Sequence, residues 1–208
     1  MPSPWVWVSK AHVYRNTVTG RFMGATEMLG LRDAFAAAQA ARAADLAERL
    51  AGGDIGLGAW QKAMRNDLKT SYIDQYVLAV GGRKNMTSSD WGRIGRMLRD
   101  QYGYLENFSR DIASGNMTAA QIAARAQMYH GSSVQAFERG NAASLGVPRL
   151  PAYPGDGSTS CMTNCRCHWH IVKTETAWEC TWVLDQAAEH CVECVERATN
   201  WAPLVVTP

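Results

Sequence analysis

What this chain lacks narrows its possible roles. No apolar run approaches the roughly 18 residues of a membrane-spanning helix. The opening residues, MPSPWVWVSK, show neither the basic cluster nor the apolar stretch of an export signal. That favours a reducing compartment, where thiols stay free or bind metal, over one where they pair as disulfides. Charge is sparse: 19% of residues are charged and the net is +2, so the whole molecule advertises no strong electrostatic partner. No HExxH and no deaminase-like HxE pattern occurs, and no dense basic run. Gly155-Asp156-Gly157 lacks the further glycines and the lysine of a phosphate loop and reads as a turn.

What charge there is lies unevenly. From Val147 onward there are four Lys/Arg against seven Asp/Glu; the preceding residues hold 17 against 12. The larger part is therefore mildly basic, compatible with an acidic protein surface or a phosphate backbone.

Cysteine is concentrated where the charge turns negative. Cys161, Cys165, Cys167, Cys191 and Cys194 come as close pairs near the C-terminus. Cys-x-Cys and Cys-x-x-Cys steps each put two thiolates on one turn, and two facing turns make the tetrahedral sulfur cage that zinc prefers. Six cysteines is an even count, so disulfide pairing is the alternative.

The pattern divides the chain into three. Residues 1–24 form an extended arm, with short strands at Trp5–Val8 and Val13–Tyr14; its tryptophans either dock on a partner or fold back onto their own domain. Residues 25–146 read as amphipathic helices in a bundle or helical hairpin array. The first runs from Glu27 to Leu50 and the second from Leu57 to Val80, with Trp60, Met64, Leu68 and Tyr72 on one face. A third is capped by Thr87 and buries Trp91, Ile94, Leu98, Leu105, Phe108 and Ile112. A fourth is capped by Thr118 with Gln121 and runs on past Phe137. Lys62, Arg65, Lys69, Arg93, Arg96 and Arg99 fall on the outer faces. VPRLPAYPGDGS, from Val147, is a linker into a Cys-rich module over 147–208. The fold class is thus mainly α, with a zinc-stapled β-hairpin module at the C-terminus.

That module brings its cysteines together by topology. Alternation over Cys167–Ile171 and Trp178–Leu184 predicts two strands joined by a polar connection, with Trp178 opposite Lys173 and Leu184 opposite Cys167. The six residues after Leu184 then span easily, at up to ~3.5 Å each, back to the first pair. The expected ligands of one structural zinc are Cys165, Cys167, Cys191 and Cys194. Cys161, His190 and His168 are the alternates. Cys180 reads as a buried apolar thiol, and His130 and His170 as ordinary structural or surface histidines. A redox Cys-x-x-Cys should open a helix in a βαβ setting, whereas CVEC follows a hairpin.

PGDGSTSCMTNCRCHW and AEHCVEC, behind a helical region, resemble the minor head proteins of tailed bacteriophages, the Mu-F-like head morphogenesis family. The likeness covers about residues 85–208 and rests most on Asn164-Cys165-Arg166-Cys167; the Cys-x-x-Cys element usually precedes this one and here follows it. The resemblance implies a structural, non-enzymatic protein in several copies per virion. It would be made in the bacterial cytoplasm and dock on the portal or major capsid protein, assisting head assembly or the packaging and ejection of DNA. Two other classes compete: a zinc-dependent nucleic-acid-binding module, and a Cys-x-x-Cys redox or zinc hydrolytic enzyme.

Overall fold

Glycines and capping threonines set the helix ends. In the computed structural model, which describes residues 4–208, α1 (Ala25–Ala51) stops at Gly52 and Gly53, and α2 (Leu57–Ala79) stops just before Gly81 and Gly82. Thr87 caps α3 (Ser88–Ala113): its hydroxyl accepts the Asp90 amide while the Asp90 carboxylate accepts the Thr87 amide. Thr118 and Gln121 do the same for α4 (Ala119–Gly131). Each reciprocal box satisfies two amides that a helix start leaves bare, and losing such a cap costs about 1 kcal/mol.

The single fourth helix expected past Phe137 is two. After Gly131 the chain bends and α5 (Val134–Ser144) follows. The Ser132 and Ser133 hydroxyls donate to the Tyr129 and His130 carbonyls at 2.6 and 2.7 Å, local bonds that compete with the helical ladder. Another correction concerns Trp91, which is 36% exposed with Arg83 stacked over its ring. Asp90 takes the inward position on that turn, accepting from the Tyr76 hydroxyl at 2.6 Å.

α2 is the central helix. Trp60, Met64, Leu68 and Tyr72 are wholly buried among apolar residues of α1, α3 and α4. Each such side chain contributes roughly 1.5–3 kcal/mol by leaving water. No described helix is long and apolar enough to cross a membrane.

The N-terminal segment folds back. β1 (Trp5–Val8) and β2 (Val13–Asn16) form an antiparallel hairpin. Its Trp7 ring lies so close to Gly81 that a Cβ there would fall 1.9 Å from a ring carbon, and the Tyr14 hydroxyl donates to the Leu78 carbonyl at 3.1 Å. The first three residues of the expected arm lie outside the described residues.

A second core forms around tryptophans. β3 (His168–Lys173) pairs antiparallel with β4 (Trp178–Val183), Lys173 opposite Trp178, in the expected register. α6 (Val192–Asn200) and a short strand, β5 (Leu204–Val206), follow, and β5 adds to the free edge of β4. Trp169, Trp182 and Trp201 meet with ring centroids 5.2–5.9 Å apart. The Pro-rich stretch is packed down here too, with Val147, Leu150 and Tyr153 buried. Cys180 is fully buried, as expected.

One buried ion pair ties this sheet to the helices. Arg32 of α1 meets Glu138 of α5 at 2.8 Å, both side chains 1% exposed. Arg32 also donates to the carbonyls of Cys167 and Arg166 at 3.1 Å, and Glu138 accepts the Trp169 amide at 3.0 Å.

Candidate metal centre

Three segments of the C-terminal part converge on one point. A 3-10 turn, Met162–Asn164, carries Cys161 before it and Cys165 after it, and the first turn of α6 carries Cys194. Two polar clips hold that loop against α6: Ser160 donates to Glu193, and Arg197 donates to the Ser158 carbonyl at 2.9 Å. Arg197 is itself fixed by lying over Trp182 and Trp201. On the other side, Arg32 grips the carbonyls of Arg166 and Cys167.

The sulfurs of Cys161, Cys165 and Cys194 all lie within 4.8 Å of one another. The Cys165–Cys194 separation is 3.7 Å and the Cys161–Cys194 separation 3.8 Å. A disulfide bond is about 2.0 Å, and all six cysteines are free thiols. Four thiolates about 2.3 Å from a tetrahedral zinc are about 3.8 Å apart, so the spacing is that of co-ligands.

Further donors stand at the edge. Cys191 is the residue preceding α6, and its thiol interacts electrostatically with those of Cys161 and Cys194 from outside their mutual group. Cys167 contacts Cys165 and lies 3.8 Å from His190 Nδ1. His190 Nε2 donates to the Asp185 carbonyl at 2.6 Å, which leaves the Nδ1 lone pair toward Cys167. Of the expected ligands, Cys165, Cys194 and the alternate Cys161 form the mutual group. Cys167, Cys191 and His190 border it. His168 lines a separate cleft with Trp7 and Leu145.

Electrostatics favour the thiolate at two positions, Cys165 and Cys191, the latter because burial, which raises it, is outweighed by backbone hydrogen bonds at Cys161 and Cys194. A hydrogen bond from the Cys167 thiol holds Cys165 down to about 5, and Cys167 is raised in exchange. Burial pushes Cys161 up to about 11 and raises Cys194 as well. These thiols give up their protons when a cation replaces them.

One expectation about the Cys-x-x-Cys element is corrected: it does open a helix, α6, after a strand. The surrounding sheet is antiparallel, and the Cys194 thiol lies 3.8 Å from that of Cys161. The Arg32–Glu138 clasp escaped the sequence reading. Its signal is a cation sharing the buried face of α1 with Gln39, Ala43 and Leu46, and an acid beside Phe137 in the stripe of α5.

Fold and site together define a mainly helical protein with small antiparallel sheets and a cysteine cluster that can hold a metal ion. Comparison with protein-family models, curated proteins and solved structures returns no match.

Proposed function

We propose that the cysteine cluster is a structural zinc site, and that the protein is a minor head protein of a tailed bacteriophage, as the likeness to the Mu-F-like family implies. The observation that carries the reading is the meeting of the Asn-Cys-Arg-Cys turn with the Cys-x-x-Cys turn, Cys165 against Cys194 at 3.7 Å. Those are the two elements on which the resemblance stands. Cys161, Cys165 and Cys194 hold the ion, and one of the two bordering thiols, Cys191 or Cys167, completes the set. An all-sulfur set suits zinc and leaves no open position for substrate, which is the structural type of site. No carboxylate joins the mutual group among the described residues.

The role is binding. Zinc fastens the loop, the sheet and α6 into one rigid end, and the helical part docks on the portal or inner shell while heads assemble in the host cytoplasm. Several copies per virion fit a ring-shaped partner, and packaged DNA is a further contact.

Native mass spectrometry with metal analysis, alone and with a portal ring from the same genome, tests this reading. One zinc per chain and a stable complex with the ring are expected. A metal-free protein with oxidised thiols sinks the zinc site, and absence of any complex with portal or capsid protein sinks the head assignment.

A further inference from the structure

Away from the thiols, α3, α5 and the segment after Val147 enclose a cavity of about 590 Å³. Arg93 and Arg96 line it from α3, Arg139 from α5 and Arg149 from the segment beyond. Arg93 is paired with Asp90 at 2.9 Å. Among the described residues the other three arginines make no ion pair. Asp156, one of two acids lining the cavity, is engaged by the amides of Tyr153 and Ser158. The Arg139 guanidinium stacks over the Tyr153 ring at 4.2 Å, and its Nε is buried without a hydrogen-bond partner. A buried donor left unpaired costs about 1–3 kcal/mol, and three unpaired guanidinium groups outnumber the one acid not engaged by the backbone, Asp100, so the hollow keeps net positive charge. An anion with several oxygens relieves both, since guanidinium groups bind phosphate in forked, charge-assisted pairs.

A second cavity, of about 400 Å³, opens beside the first. The two share Gln101, Tyr104, Gln135 and the backbone-engaged Asp156, and Met128 and Tyr129 line the second alone. Tyr104 is 58% exposed, a free ring next to two amides. A cationic hollow adjoining an aromatic cleft with amide groups is complementary to a molecule with phosphates at one end and a flat, hydrogen-bonding ring at the other.

We infer that the paired cavities bind a nucleoside polyphosphate, its phosphates among Arg96, Arg139 and Arg149 and its base against Tyr104. The arginines converge on a hollow and form no stripe, which favours a small ligand over the backbone of a long nucleic acid. This goes beyond the head assignment and does not depend on the metal.

Isothermal titration of the zinc-loaded full chain with ATP, inorganic pyrophosphate and a short DNA duplex at physiological salt tests it. ATP should bind most tightly and the duplex least. Replacing the two exposed arginines together, Arg96→Gln with Arg149→Gln, should weaken ATP and pyrophosphate by about tenfold or more with the melting temperature unchanged. Tyr104→Ala should weaken ATP alone. Silence toward both ATP and pyrophosphate, or unchanged affinity in the double variant, overturns the inference. So does tighter binding of the duplex with a steep salt dependence, which would make this face a nucleic-acid surface. Equal affinity for ATP and pyrophosphate removes the base from the second cavity.

Discussion

Single atoms decide which cysteines matter. Cys161 is held in the group by its neighbours: Ser160 is bonded to Glu193, and the Cys161 sulfur touches the Thr159 hydroxyl at 3.1 Å. Cys161→Ser should therefore lower zinc content or affinity, whereas Cys180→Ala, on a thiol buried in the sheet, should keep one zinc per chain. Elemental analysis after dialysis separates the two, and loss of metal in Cys180→Ala would show that the ligand set is wrong. His130 raises a different question. It is wholly buried, neither ring nitrogen has a partner, and burial, helped by the charge of Arg42, pushes it down to about 4. The unfolded chain binds that proton at an ordinary pKa near 6.5 and the folded one does not. Its contribution to stability is thus intact above pH 6.5 and is lost as pH falls from 6.5 toward 4, reaching about 3 kcal/mol. Urea titrations at pH 7 and pH 4.5 should show the native chain losing about 2–3 kcal/mol more than His130→Leu between the two. Equal losses would mean that His130 is already hydrated or charged at neutral pH.

Among the elements, the bend between α4 and α5 is where helix and metal site touch. A Cβ at Gly131 would lie 2.6 Å from the Thr163 carbonyl oxygen, in the turn between Cys161 and Cys165. Gly131→Ala should push that turn outward, weakening zinc binding at least severalfold while leaving helical circular dichroism nearly unchanged; a competition titration with a chromophoric chelator reads it. Unchanged affinity would show that the loop accommodates the methyl. The same bend marks what sequence patterning reveals. Long periodic helices and the β3–β4 register were legible, because apolar residues at fixed spacing report a buried face. The α4–α5 break was not, because Ser132 and Ser133, whose hydroxyls bond back to the Tyr129 and His130 carbonyls, sit within an otherwise unbroken apolar period. α6 and β5 were missed for another reason: nine and three residues are too few for periodicity to speak. At the site, the cysteine spacing exposed the chemistry. Which sulfurs face one another was settled by the Ser160–Glu193 and Arg197–Ser158 clips, contacts between distant polar residues.

Across the whole molecule, the question is whether helices and sheet unfold together. Two apolar cores are distinguishable, one centred on α2 and one on the tryptophans, which taken alone would suggest two units. The Arg32–Glu138 clasp argues otherwise. It joins α1, α5 and β3 through one buried pair and three backbone bonds, and Ala142 of α5 belongs to the tryptophan core. Opening the sheet alone would strand a buried carboxylate and guanidinium, and breaking such a pair costs about 3–5 kcal/mol. Local opening is therefore penalised relative to global unfolding. Urea transitions followed by helical circular dichroism and by tryptophan fluorescence should coincide, and chelation of zinc should shift both curves equally. Glu138→Gln removes the buried one of two carboxylates paired with Arg32, Asp33 being the other at 2.8 Å, and should lower stability by about 1.5–3 kcal/mol. It should also split the transition, with fluorescence changing first. If the native chain already shows two separated transitions, and Glu138→Gln leaves their spacing unaltered, the clasp does not couple the two cores and the C-terminal part folds on its own metal.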